Sequence, residues 1–183
     1  ANSTADSYIA IENSDIQGNK ILNLRKTNFE ANTPLTLDVR VPEFSGEWFT
    51  FSTDVTVVNS VDTHTVLDIS LGRMYNLRFV SYNGAILVCD FNASGFVNLL
   101  DTAADVGETF TVSVIFSNGD GVTRDEDGVM IDNDMQAYVY INGKCIAKSI
   151  NFYSERHLQY DQYDTIHYSI PKDTEANVYL DNI

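Results

Sequence analysis

Apolar and polar residues alternate with a period of two along most of this chain. In "EWFTFSTDVTVV", Phe49, Phe51, Val55 and Val57 fall on one side, and Trp48, Thr50, Ser52, Asp54 and Thr56 on the other. In "PLTLDVRV", Leu35, Leu37, Val39 and Val41 oppose Thr36, Asp38 and Arg40. "TVLDISL" sets Leu67, Ile69 and Leu71 against Asp68 and Ser70, and "ETFTVSVIF" sets Phe110, Val112, Val114 and Phe116 against Thr109, Thr111 and Ser113. Successive side chains of a strand point to opposite faces, so each run predicts a strand with one buried and one wet face. Helical periodicity is almost absent. Many short strands at close spacing predict an all-β antiparallel two-sheet sandwich or barrel. No linker composition and no repeat divides the chain, so residues 1–183 read as one domain.

Asn142-Gly143 in "VYINGKCIA" is a hairpin signal. A two-residue turn would pair Ile141 with Lys144 and Tyr140 with Cys145. That register mixes Lys144 and Lys148 with apolar residues on one face. A longer loop would place Cys145 and Ala147 beside Val139 and Ile141. In either case Val139 and Ile141 are expected to face the core, with Tyr138 and Tyr140 on the outer face.

Composition narrows the partners. The chain carries 11 Lys+Arg and 26 Asp+Glu, a formal charge of −15. Such a chain repels phosphate backbones and anionic membranes, so nucleic acid is excluded as a partner class, and divalent cations suit it better. No apolar run approaches the roughly 18 residues of a membrane-spanning helix. The start lacks the basic and apolar regions of a signal peptide, and "NVYLDNI" reads as a strand at the end of the chain; both favour a piece of a longer protein. Two cysteines, Cys89 and Cys145, do not by themselves imply a disulfide, and buried free thiols fit their apolar runs at least as well.

The order of "GNKILNL", "WFTFSTDVTV", "ETFTVSVIF", "AYVYINGKCIAKS" and "VYLDNI" resembles the concanavalin A-like, or laminin-G-like, jelly-roll domains of bacterial secreted and cell-surface proteins. The resemblance runs from about Gly18 to Ile183. It implies a jelly-roll sandwich, an extracellular or cell-surface location, and a carbohydrate ligand in many members. Related jelly rolls hold a structural calcium near the termini with an Asp of the final strand, a position that Asp181 matches.

Two further readings concern chemistry. The stretch "NGDGVTRDEDGVMIDND" fits no EF-hand loop in either register, but Asp125, Asp127, Asp132 and Asp134 could form another calcium site or simply a solvated loop. The E-x-D-x-x-E motif of jelly-roll β-glucanases is absent, no G-x-S-x-G occurs, and His64, His157 and His167 lack metal-ligand spacing. The chain is therefore read as not an enzyme. Sugar rings stack on aromatic faces while their hydroxyls meet amides, carboxylates and guanidinium groups. Strand parity puts Trp48, Tyr138, Tyr140 and Tyr82 on wet faces, with Asn76 and Arg78 beside Tyr82. These six are the expected ligand-binding residues. Tyr153, Tyr160, Tyr163 and Tyr168 are read as a loop cluster that contacts a ligand or anchors the loop. The expected function is a noncatalytic carbohydrate-binding module of a larger secreted or surface protein, binding an oligo- or polysaccharide, with calcium structural. The alternative is a structural or adhesion spacer without a glycan ligand, and less so a glycoside hydrolase-like domain.

Overall fold

The computed structural model describes residues 7–13, 19–27, 33–40, 48–71, 75–91, 97–117, 122–124, 130–132, 136–151 and 165–182. Its regular elements are all strands: β1 (Tyr8–Asn13), β2 (Lys20–Lys26), β3 (Leu35–Arg40), β4 (Trp48–Ser60), β5 (Thr65–Leu71), β6 (Tyr75–Tyr82), β7 (Ala85–Phe91), β8 (Val97–Asp105), β9 (Thr109–Ser117), β10 (Val122–Arg124), β11 (Met130–Asp132), β12 (Gln136–Ile141), β13 (Lys144–Asn151), β14 (Thr165–Ile170) and β15 (Ala176–Asp181). One sheet has seven strands in the order β1-β2-β15-β4-β9-β12-β13, the other six in the order β3-β14-β5-β6-β7-β8. All pairings are antiparallel, and the two sheets pack as a sandwich. The all-β two-sheet reading of the sequence is correct.

Alternation is what builds the core. Phe51, Val55 and Val57 of β4, Phe110, Val112 and Val114 of β9, and Val178 and Leu180 of β15 face Leu67, Ile69, Leu77, Phe79, Ile86, Val88 and Ile166 of the other sheet. Phe79 and Phe110 meet with ring centroids 5.6 Å apart, within the range where tilted aromatic pairs attract. Tyr168 does not belong to a loop cluster. It lies on the inner face of β14, fully buried. Burial pushes its phenol up to about 12, opposed by the nearby Thr53 hydroxyl. That approach is too loose to count as a hydrogen bond.

The β12–β13 hairpin resolves the two register alternatives. Asn142 and Gly143 both have positive φ, 51° and 77°, as a two-residue primed turn requires. Ile141 pairs with Lys144 and Tyr140 with Cys145, but Val139 pairs with Ala147. Ile146 is the extra residue of a β-bulge, which resets the register after one step. Val139 and Ile141 thus reach the core while Lys144 bonds to Asp101 of β8 at 2.7 Å. Asn142 also ties the sheets together, accepting from the Thr111 amide and donating to the Ala103 carbonyl. Cys89 and Cys145 are free thiols. The connection between β9 and β12 holds the short β10–β11 hairpin.

Candidate functional site

The outer face of the six-stranded sheet collects the chemistry. On β3, Leu35, Leu37 and Val39 pack towards the core, so Thr36, Asp38 and Arg40 face out. On β14, buried Ile166, Tyr168 and Ile170 leave Thr165, His167 and Ser169 outside. On β5, Leu67 and Ile69 are inside and Asp68 outside, while Ser70 lies on the outer side but buried. On β6, Leu77 and Phe79 are inside, and Asn76, Arg78, Val80 and Tyr82 outside.

Register aligns these positions in two rows across the strands. One row runs Asp38, His167, Ser70, Asn76. The next runs Thr36, Ser169, Asp68, Arg78, Cys89, Leu99. Neighbouring strands lie about 4.8 Å apart, so side chains within a row touch or nearly touch.

Each row contains an acid–base pair. His167 Nδ1 donates to Asp38 Oδ1 at 2.5 Å. A carboxylate only accepts, so Nδ1 carries the hydrogen of this bond. Arg78 donates from Nε and Nη2 to the two oxygens of Asp68, at 2.9 and 3.0 Å. This fork fixes the guanidinium plane. The hydrogen bond to Asp68 raises the Arg78 pKa, against a smaller opposing effect of burial. Beside it, burial pushes the Cys89 thiol up, partly offset by the Arg78 charge. The face therefore offers an imidazole, an oriented guanidinium, two carboxylates, an amide and hydroxyls. It suits a ligand rich in hydroxyl groups.

The residues expected from sequence divide between two faces. Asn76, Arg78 and Tyr82 share the outer face of β6, and Tyr82 is 50% exposed. Tyr138 and Tyr140 belong to the other sheet, on the face opposite the core. Trp48 opens β4 in that same sheet, paired with Ser117, and its side chain lies outside the described residues. The six expected ligand-binding residues are thus divided between the two sheets, with Asn76, Arg78 and Tyr82 on one side of the sandwich and Tyr138 and Tyr140 on the other. Tyr138 also departs from expectation: it is 5% exposed, covered rather than presented. Asp38, Asp68, Ser70 and His167 were passed over in the sequence reading. Parity alone marked Asp38, Asp68 and Ser70 as outward, but only strand order brings them beside His167.

Asp181 has a carboxylate neighbour that the sequence did not reveal. It pairs in register with Asp54 of β4. Thr111 and Asn182 donate to the two oxygens of Asp54, and the Asn182 amide and Asn19 to those of Asp181. All four oxygens thus meet neutral donors. Asp125, Asp127 and Asp134 lie outside the described residues, as does the side chain of Asp132 in β11. Among the described residues no group of three or more His, Cys, Asp or Glu could hold a metal ion.

No family model and no curated protein matches the chain. Solved structures do. A structure described as that of a carbohydrate esterase from the Shiga toxin-encoding bacteriophage phi24B superposes with a TM-score of 0.66 at 14% identity, covering 97% of this chain and 85% of the other. Alginate lyase vAL-1 from Chlorella virus gives 0.56 at 13%, covering 96% and 87%. Alginate lyase Aly36B, solved with an alginate tetrasaccharide, gives 0.50 at 14%, covering 88% and 78%. At such identities the likeness establishes the fold. It also overturns the reading of the chain as not an enzyme. Structures named as an esterase and as lyases share this architecture, so a missing β-glucanase motif excludes one mechanism and not catalysis.

Proposed function

We propose that this chain is an extracellular, concanavalin A-like sandwich of a larger protein that engages an oligo- or polysaccharide on the outer face of its six-stranded sheet. The observation that carries the reading is the pair of adjacent rows holding Asp38–His167 and Asp68–Arg78. Each pair holds its two side chains in a fixed mutual geometry, so little further ordering is required when hydroxyls arrive. Tyr82 lies on the same strand, placed to stack on a sugar ring. The names of the similar structures, a carbohydrate esterase and two alginate lyases, support the ligand class. The charge of −15 favours a neutral glycan over a polyanion.

The test is a broad glycan screen, followed by calorimetry on wild type, Arg78→Ala, His167→Ala and Thr111→Ala. Arg78→Ala should weaken retention at least thirtyfold, about 2 kcal/mol, as loss of a binding hot spot does. His167→Ala should weaken it less, and Thr111→Ala, on the other sheet, should leave it within twofold. Unchanged binding in Arg78→Ala would move the site elsewhere. Silence across neutral, acidic and acylated glycans would end the carbohydrate reading.

A further inference from the structure

The row that begins with charge ends without it. From Asp68 and Arg78 it passes to Cys89 on β7 and Leu99 on β8. Leu99 is 63% exposed. A lone exposed leucine is ordinary. This one has company: Leu87 is half-buried on the same face of β7, opposite half-buried Val80 of β6. Cys89 is 5% exposed between Arg78 and Leu99 and forms the floor. Over two strand spacings, about 10 Å, the face changes from a guanidinium–carboxylate fork to an apolar shelf. Four small or aliphatic positions fall well short of the roughly 20–30 residues per side of a stable protein interface. Nor would a protein partner's apolar core choose a patch bordered by the Arg78–Asp68 ion pair. An amphipathic small ligand matches both halves.

We infer that the carbohydrate taken by this face carries an apolar substituent, a short ester-linked acyl or an alkyl group, and that Val80, Leu87, Cys89 and Leu99 receive it. The inference rests on the carbohydrate reading above and names the ligand class more narrowly. The sugar hydroxyls meet the Asp38–His167 and Asp68–Arg78 pairs. The substituent lies along the shelf, where its removal from water adds affinity in proportion to the apolar area covered.

Methyl and hexyl β-glycosides of glucose, galactose, mannose, xylose and N-acetylglucosamine, titrated below micelle formation, test this directly. For at least one sugar the hexyl glycoside should bind about tenfold more tightly than the methyl glycoside. Leu99→Ser should erase that gain and leave the methyl affinity unchanged, while Arg78→Ala weakens both. Any polysaccharide retained in the glycan screen should bind more weakly after mild alkaline de-esterification. Equal affinity of the two glycosides, together with indifference to de-esterification, would overturn the inference and leave the carbohydrate reading standing. A hexyl gain that survives in Leu99→Ser would also overturn it. A lower oligomeric mass of Leu99→Ser by sedimentation would assign the shelf to self-association and overturn it too. If no glycan is retained at all, the reading and the inference fall together.

Discussion

The two outer faces of this sandwich are built on the same strand geometry and solve their polarity differently. On the seven-stranded sheet the polar positions pair among themselves. Ser52 and Ser113 hydroxyls meet at 2.8 Å, Thr56 and Thr109 at 2.7 Å, and Thr111 donates to Asp54. These are neutral partners, or a neutral donor on a carboxylate, and they form a ladder across β4 and β9. On the six-stranded sheet the partners are ionised or ionisable: Arg78 with Asp68, His167 with Asp38. Such pairs set charge and oriented donors on the face. The hydroxyl ladder joins neighbouring strands without charge. The acid–base rows present charged groups to a polar ligand.

Alkaline pH gives the largest effect and tests how the faces share one core. Tyr168 sits between Ser169 and His167 on β14, and its folded-state pKa is raised to about 12 from 10.0. The unfolded chain loses this proton first. Stability is therefore complete below pH 10 and falls as pH rises through about 12. The loss approaches roughly 3 kcal/mol, since each pKa unit is worth about 1.4 kcal/mol. Denaturant unfolding of wild type and Tyr168→Phe at pH 8 and pH 11.5 measures it. Wild type should lose more than the variant. Equal losses would mean that the phenol is not desolvated, and that the strand carrying His167 is less firmly seated than the structure has it.

Much of the fold was legible because its signal is local. The strand expected from "TVLDISL" is β5 to the residue, and the inward positions of β3, β4, β6 and β9 that the structure describes follow parity. A half-buried strand writes its orientation into every second residue. The site was not legible because strand adjacency is not local. Asp38 and His167 are 129 residues apart in sequence and meet only because β14 inserts between β3 and β5. Three histidines without regular spacing hid the one that matters. Tyr138 shows a different limit. Parity placed it outward, yet it is 5% exposed, and cover has no period. The bulge at Ile146 is of the same kind: Lys144 in an apolar register hinted at a reset, but not where it would fall.

The same substitution made on each face should have opposite signs. Asp68→Asn removes the partner of a guanidinium whose side chain is only 24% exposed. The neutral amide holds Arg78 by one weaker hydrogen bond and removes the charge of Asp68 beside it. A cost of about 1–2 kcal/mol is expected, above that of a fully exposed pair. Asp54→Asn acts on two carboxylates set directly opposite, Asp54 and Asp181, and like charges in that position destabilise a sheet. Asn182 still has an amide oxygen to donate to, and the Thr111 hydroxyl turns to accept. The relief should outweigh the weaker hydrogen bonds and raise stability by up to about 0.5 kcal/mol at low salt. The gain should shrink as salt screens the repulsion it removes. Urea unfolding at 20 and 500 mM NaCl reads both variants. A clear loss for Asp54→Asn that deepens when calcium is supplied to both proteins would mean that a cation joins Asp54 to Asp181. The seven-stranded face would then hold a charged device of its own, and the contrast between the faces would be one of ligand, metal on one and carbohydrate on the other.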